Sequence, residues 1–218
     1  MKLLTGLYDS TLGKKILMAV TGAFLFLFVL AHMTGNMLLY VGPEALNAYG
    51  HKLQSNLALL WAFRLTMLVA VSVHVIASVQ LWLRNRRSRP VKYREFNPPA
   101  VDYAARTMVW SGPIILAFIL YHLAHFTVGC VHHNFVRGDV YHNVVSAFQI
   151  WWVAGIYVVA NVMLAVHLYH GLWSVFQTAG WDHPRFGRFR RWFAIGFALL
   201  IGAGNVSFPL AVLTGVVR

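Results

Sequence analysis

The feature that most constrains the fold is a series of five apolar segments, each long enough to cross a lipid bilayer. They lie at about 16–41, 57–83, 107–131, 146–176 and 192–216. About 20 consecutive apolar residues in a helix span the hydrocarbon core of a membrane. Since 59% of the chain is apolar and only 11% is charged, the sequence predicts an all-α integral membrane protein. We expect one five-helix bundle that occupies residues 1–218 as a single domain.

The basic residues are distributed unevenly between the two ends of this predicted bundle. If the helices alternate in direction, fourteen of the 18 Lys and Arg residues fall on the side of the N-terminus. The four on the other side are Lys52, Arg64, Arg137 and Arg218. Because loops rich in Lys and Arg stay in the cytoplasm, we expect a multi-pass protein of the cytoplasmic membrane, N-terminus inside and C-terminus outside. The net charge of +12 then indicates anionic lipid or an acidic partner subunit rather than nucleic acid.

Four of the 11 histidines lie deep in four different apolar segments, where ionisable side chains are costly and commonly functional. At a rise of 1.5 Å per residue, His32 and His122 lie about 12–14 Å from the outer ends of their helices. His74 and His167 lie about 13 Å from the inner ends of theirs. Two histidines at one level on different helices can supply both axial ligands of a haem iron. The depths therefore predict two haems stacked across the membrane.

Other interpretations of these histidines stay open at this point. Each ring could simply bond a neighbouring carbonyl, and His125 or His170 could replace His122 or His167, since residues three apart share a helix face. Four glycines of the same helices could let a flat macrocycle approach the backbone: Gly22, Gly35, Gly112 and Gly171. The single cysteine, Cys130, excludes an internal disulfide and a cysteine-ligated iron–sulfur cluster. No C-x-x-C-H motif is present, so any haem would be bound non-covalently.

Four stretches carry spacings that occur together in one known family. The first segment contains TGAFLFLFVLAHMTGN, with a glycine ten residues before His32, and the third contains SGPIILAFILYH, with the same spacing to His122. The outer loop reads GPEALNAYGHKLQS, and the fourth segment ends HLYHGLWSVFQTAGW. Together they resemble the di-haem, single-subunit cytochrome b anchor of succinate:quinone oxidoreductases, which are the succinate dehydrogenases and fumarate reductases. The resemblance covers nearly the whole chain, from about residue 13 to the end of the fifth segment.

The resemblance implies an electron-transfer subunit that carries two b haems. His32 with His122 would hold the outer haem, and His74 with His167 the inner one. Electrons would pass between an iron–sulfur subunit and membrane quinone, with menaquinone favoured, while a flavoprotein subunit performs the succinate or fumarate chemistry of the tricarboxylic acid cycle and respiratory chain. The basic inner loops 84–106 and 178–191 are expected to dock the iron–sulfur subunit. One departure is Ala165, where some members carry a glutamate linked to transmembrane proton movement.

The quinone site is predicted in the outer loop, where protons from water are accessible. The candidates are Glu44, Asn47, His51, Lys52 and Ser55. Loop residues are polar by default, so these side chains could equally be solvated, with the quinone near loop 178–191 instead. Two alternative functions are a cytochrome b of another quinone-linked enzyme, such as a hydrogenase or formate dehydrogenase, and a membrane di-iron oxidoreductase suggested by HLAH and HLYH.

The asymmetry of basic residues predicts the orientation in a form that fusions can test. A reporter that is active only outside the cytoplasm should be active after Arg218 and inactive after Ser88, because the two positions would lie on opposite sides of the membrane. A reporter that needs the cytoplasm should show the reverse pattern. Clear cytoplasmic activity of the fusion after Arg218 would contradict the predicted orientation.

Overall fold

The computed structural model describes residues 9–88, 103–181 and 183–218, with the backbone alone at 103–106. Seven α-helices form within these ranges. They are α1 Thr11–Asn36, α2 Pro43–Gln54, α3 Leu57–Arg87, α4 Tyr103–His122, α5 Val140–Phe148, α6 Trp151–Thr178 and α7 Gly187–Leu213. Short 3-10 helices extend α1 over Met37–Tyr40 and precede α7 over Pro184–Phe186, and a π-helix extends α4 over Leu123–Val128.

Five of these elements are long and apolar enough to cross a membrane, which confirms the five predicted spans. They are Thr11–Tyr40, Leu57–Arg87, Thr107–Val128, Trp151–Thr178 and Pro184–Leu213. Their lengths of 22 to 31 residues correspond to about 33–46 Å of helix, compared with a hydrocarbon core of about 30 Å. The chain is therefore a multi-pass helical membrane protein. Its orientation and the identity of the membrane stay predictions.

Several predicted boundaries differ from the structure. The first and fifth spanning helices begin earlier than predicted, at Thr11 and Gly187 rather than at about 16 and 192. At two other places short helices occupy what the sequence assigns to a loop or a span. The predicted fourth span at 146–176 begins only at Trp151, since Val140–Phe148 forms a separate helix that ends before Gln149. The outer loop after the first span is largely the helix Pro43–Gln54. Gly42, at φ 129°, makes the turn into it, and Pro43 occupies its first position, where a missing N–H costs nothing.

The spanning helices pack as antiparallel neighbours. Along α1 and α3, Lys14 donates to Gln80 Oε1 at 2.7 Å at one end, and the rings of Phe28 and Phe63 meet 5.8 Å apart toward the other. The most extensive contact is between α6 and α7, while α4 packs mainly on α6. Within the described ranges, the pairs α1–α4 and α3–α6 are not among those that pack extensively. The bundle is therefore closely packed on one side and more open between these two pairs.

The helices α2 and α5 lie together over one end of the bundle, which we call the capped end. Asn47 joins them, because its Nδ2 donates to Asp139 Oδ1 at 2.9 Å and its Oδ1 accepts from the Tyr141 N–H at 2.9 Å. Asp139 also accepts from the His142 N–H at 2.9 Å, and these hydrogen bonds hold the pKa of the Asp139 carboxyl below its ordinary value. Most of the buried apolar core lies at this end. The opposite end holds Lys14 and the start of α7, and we call it the basic end.

The α6–α7 contact depends on a glycine, and this generates a prediction for stability. A Cβ atom added at Gly202 would lie 2.8 Å from the Cβ of Ala165, closer than two carbon atoms can pack. Gly202→Ala should therefore lower the free energy of unfolding by about 1–3 kcal/mol. The matched control is Gly196→Ala on the same helix, where no atom lies within 4 Å of an added Cβ. Thermal unfolding of both variants in detergent checks the difference, and equal melting temperatures would contradict it.

Candidate functional site

Four histidines on four spanning helices face each other in two pairs. His32 on α1 and His122 at the end of α4 have ring centroids 5.8 Å apart, with the ring planes perpendicular at 90°. His74 on α3 and His167 on α6 have ring centroids 6.4 Å apart, with an interplanar angle of 61°. The structure thus brings together the same two pairs that the sequence groups by depth. The binding of haem by these pairs stays a prediction.

Each pair joins two helices that otherwise approach one another little. The first pair links α1 with α4 and the second links α3 with α6, which are the two pairs without extensive packing in the described ranges. The pairs also lie at different levels. His74 contacts Thr21, and His32 lies 11 residues further along α1, which is about 16 Å along the helix. Two separate sites therefore follow one another across the bundle.

Hydroxyl groups hold the Nδ1 atoms of three of these rings. His74 Nδ1 lies 3.1 Å from Thr21 Oγ1, and His167 Nδ1 lies 3.4 Å from Ser111 Oγ. The Thr21 hydroxyl already donates its proton to the Leu17 carbonyl at 2.7 Å. Its oxygen is therefore the acceptor, so His74 carries its proton on Nδ1 and keeps the lone pair of Nε2. This is the arrangement that metal-binding histidines adopt, with the second nitrogen donating to a fixed acceptor.

The third such ring is His122, whose Nδ1 lies 3.4 Å from the Tyr157 hydroxyl. Tyr157 is 4% exposed, and Ser111, which holds His167, is fully buried. Tyr157 is not marked by the sequence patterns above, and Ser111 lies in the stretch SGPIILAFILYH without being singled out there. Their contacts depend on how α4 and α6 are rotated about their axes, and helical depth carries no information about this rotation.

The distances fit two imidazoles on opposite sides of one metal ion. A metal–imidazole nitrogen bond is about 2.0–2.1 Å long. Two opposed nitrogens are then about 4 Å apart and the ring centroids about 6 Å apart, since each centroid lies about 1 Å beyond its nitrogen. The observed 5.8 and 6.4 Å lie on either side of this value. No group of three or more His, Cys, Asp or Glu suited to a metal occurs among the described residues.

The glycines near the pairs have different surroundings. An added Cβ at Gly22 would lie 3.2 Å from His74 Cε1, so the absence of a side chain lets this ring lie against α1. An added Cβ at Gly112 or Gly171 would meet no atom within 4 Å, which leaves these backbone positions open to a flat group. Gly35 does not offer such a surface, because the ring of Tyr49 on α2 packs against it.

The two alternative ligands have different neighbours. His125 lies in the π-helix and is 2% exposed, with its Nδ1 3.0 Å from the Tyr157 hydroxyl. Its nearest histidine ring is His132, at a centroid distance of 4.8 Å, in the segment between the π-helix and α5 rather than on another spanning helix. His170 lies one turn beyond His167 on α6 and is half-buried.

The five quinone candidates all lie on α2 or directly after it. Glu44, His51, Lys52 and Ser55 are exposed, and Ser55 donates to the Lys52 carbonyl. Asn47 is occupied by its bonds to Asp139 and Tyr141. A cavity of about 450 Å³ at this end includes Pro43 of α2 and is otherwise lined by residues such as His133, His142 and Arg218. A quinone at the five candidates stays a prediction.

Comparison with known proteins leaves the family open. No family model, curated protein or solved structure matches this chain. The resemblance to cytochrome b anchors therefore depends on the motifs in the sequence. The paired histidines are the structural observation that bears on it.

Proposed function

We propose that this chain is the membrane-anchor cytochrome b subunit of a succinate:quinone oxidoreductase. In this role it transfers electrons between an iron–sulfur subunit and quinone through two b haems. The observation that supports the proposal is the pairing of four histidines from four spanning helices, with ring separations of 5.8 and 6.4 Å. The two pairs use one histidine from each of four spanning helices and lie at two levels, as two stacked haems would require.

The residues of the chain would bind and orient the two haems. His32 and His122 would hold the haem toward the capped end, and His74 and His167 the haem toward the basic end. When bound, haem supplies reversible one-electron chemistry at its iron. Thr21 and Ser111 keep the imidazoles of His74 and His167 in place through their Nδ1 atoms. Fixed ring positions of this kind, and the fixed tautomer of His74, are among the means by which a protein tunes a haem.

The dicarboxylate chemistry would belong to other subunits. The chain has one cysteine and no dinucleotide-binding fingerprint, so a separate flavoprotein and iron–sulfur subunit would supply it. Three arginines are exposed at the basic end: Arg185, Arg188 and Arg191. They are suited to bind an acidic surface on a partner subunit. Arg190 is different, since it is 4% exposed and its guanidinium lies 5.0 Å from the Trp173 ring centroid. The part of the inner loop at 89–102 lies outside the described residues.

The ligand assignment predicts which substitutions remove the same haem. His74→Ala and His167→Ala should each remove one haem, and His32→Ala and His122→Ala should each remove the other. Each imidazole would supply one of the two protein ligands of its haem iron, so its removal should release that haem. Reduced-minus-oxidised spectra with a pyridine haemochrome assay measure the haem content.

His170→Ala is the control, because it changes a histidine one turn away on the same helix and should keep both haems. An unmodified chain without haem would overturn the proposed function. Loss of the same haem from His74→Ala and His122→Ala would contradict the pairing.

The quinone prediction is tested on the exposed candidates of α2. Glu44→Gln and His51→Ala should slow quinone turnover by roughly 10²-fold, because quinone reduction needs a proton donor and loss of a general acid costs about this much. Both haems and succinate-to-dye activity should survive. Arg137→Gln is the control, because it removes an exposed charge at the same end that is not among the five candidates. Unchanged quinone kinetics in both variants would place the site at the basic end, near loop 178–191.

A further inference from the structure

Two buried side chains that the proposed electron path does not use lie directly behind His122. They are Tyr157 on α6 and His125 in the π-helix, with exposed fractions of 4% and 2%. The Tyr157 hydroxyl lies 3.0 Å from His125 Nδ1 and 3.4 Å from His122 Nδ1. A phenol and an imidazole in a bilayer are costly unless they are hydrogen-bonded. The three side chains therefore form one connected polar group inside the apolar part of the bundle.

The local backbone is unusual where this group forms. The π-helix Leu123–Val128 begins directly after His122 and is followed by Gly129, whose φ is 81°. Single π turns are rare and occur frequently at functional sites. The turn holds the His125 ring against Phe126, at a centroid distance of 4.4 Å, and against Tyr121, at 5.2 Å. His125 is thus fixed on the side that faces Tyr157.

Haem binding by His122 would determine every proton position in this group. A ligand that uses Nε2 carries its proton on Nδ1 and donates it to the Tyr157 oxygen. Tyr157 has a single O–H, which is then directed to His125 Nδ1 as acceptor. His125 consequently carries its own proton on Nε2. We infer that Tyr157 and His125 form a hydrogen-bonded chain of positioning residues, which we call the relay. The relay orients His122 and increases the electron density on its imidazole, and this inference rests on the proposed function.

The relay does not continue to the surface through His132. The His132 Nδ1 accepts from the Asn134 N–H at 3.0 Å, and its Nε2 donates to the Asn143 carbonyl at 2.9 Å. Both nitrogens are therefore held by backbone groups, although the ring lies only 4.8 Å from that of His125. Because His132 does not extend the relay, we expect the relay to act on the ligand His122 rather than to conduct protons to the surface.

The relay should lower the reduction potential of the haem held by His32 and His122. Donation from Nδ1 makes an axial imidazole more basic, and a more basic ligand stabilises oxidised over reduced iron. Tyr157 is a stronger acceptor while it donates to His125, since hydrogen bonds in a chain polarise one another. The other pair contacts aliphatic hydroxyls at Thr21 and Ser111 instead, so its haem should not respond to changes at Tyr157.

The experiment is a potentiometric titration of the full protein with its haems bound. Tyr157→Phe should move one midpoint potential to a more positive value, and that haem should be the one lost in His32→Ala. His125→Phe should give a smaller shift in the same direction, because Tyr157 keeps its oxygen but loses its acceptor. His125→Asn should restore the unmodified potential, since the amide oxygen can accept at the position of Nδ1.

The matched control is Tyr121→Phe, which also removes a phenol hydroxyl. The Tyr121 ring lies 6.0 Å from that of Tyr157, and this variant should leave both potentials unchanged. If Tyr157→Phe keeps both haems and both potentials, the relay is wrong while the proposed function stands. An equal shift in Tyr121→Phe would assign the effect to packing and also overturn the relay. Should Tyr157→Phe fail to assemble, equal potentials in His125→Phe and His125→Asn would overturn it. Absence of haem from the unmodified chain would overturn both proposals.

Discussion

The structure depends on one constraint, which is that the hydrocarbon core of a membrane has no water to bond polar groups. Helices satisfy their own backbone, but a histidine side chain inside the bundle needs partners from other helices. The hydroxyl of Thr21 on α1 contacts His74 on α3, and the hydroxyl of Ser111 on α4 contacts His167 on α6. These contacts link helices in pairs and, at His74, fix the tautomer of the ring. The same requirement that makes the buried histidines costly therefore leaves the lone pair of His74 on Nε2.

The five spans were predictable because length and composition alone identify a transmembrane helix. The two short helices at the capped end were not, for different reasons. Val140–Phe148 is so apolar that its composition does not distinguish it from the following span. Only the break before Trp151 separates the two helices. Pro43–Gln54 has a mixed composition and looks like a loop, yet its Asn47 joins it to the start of α5. Such short elements are determined by tertiary contacts rather than by the local pattern.

At the candidate site too, the sequence predicts how far along its helix a side chain lies but not the direction in which it points. The rise of a helix is constant, so counting residues from a helix end was sufficient to group His32 with His122 and His74 with His167. The direction in which a side chain points depends on how neighbouring helices pack. Tyr157 illustrates this, since its contact with two histidines arises from the α4–α6 packing and from the π-helix after His122. No spacing in the sequence contains that information.

Helix packing also bears on whether electron transfer could be accompanied by proton movement along α6. Position 165, which carries a glutamate in some members of the family that the chain resembles, is an alanine here. Its Cβ lies against Gly202, at 2.8 Å from where a Cβ of that residue would be. A longer side chain at 165 would have to extend between α6 and α7 at their close contact, so the alanine and the glycine form one packing unit. Under the proposed function, the protons of quinone chemistry would then enter from the membrane surface at which the quinone binds, rather than along a carboxylate at this position.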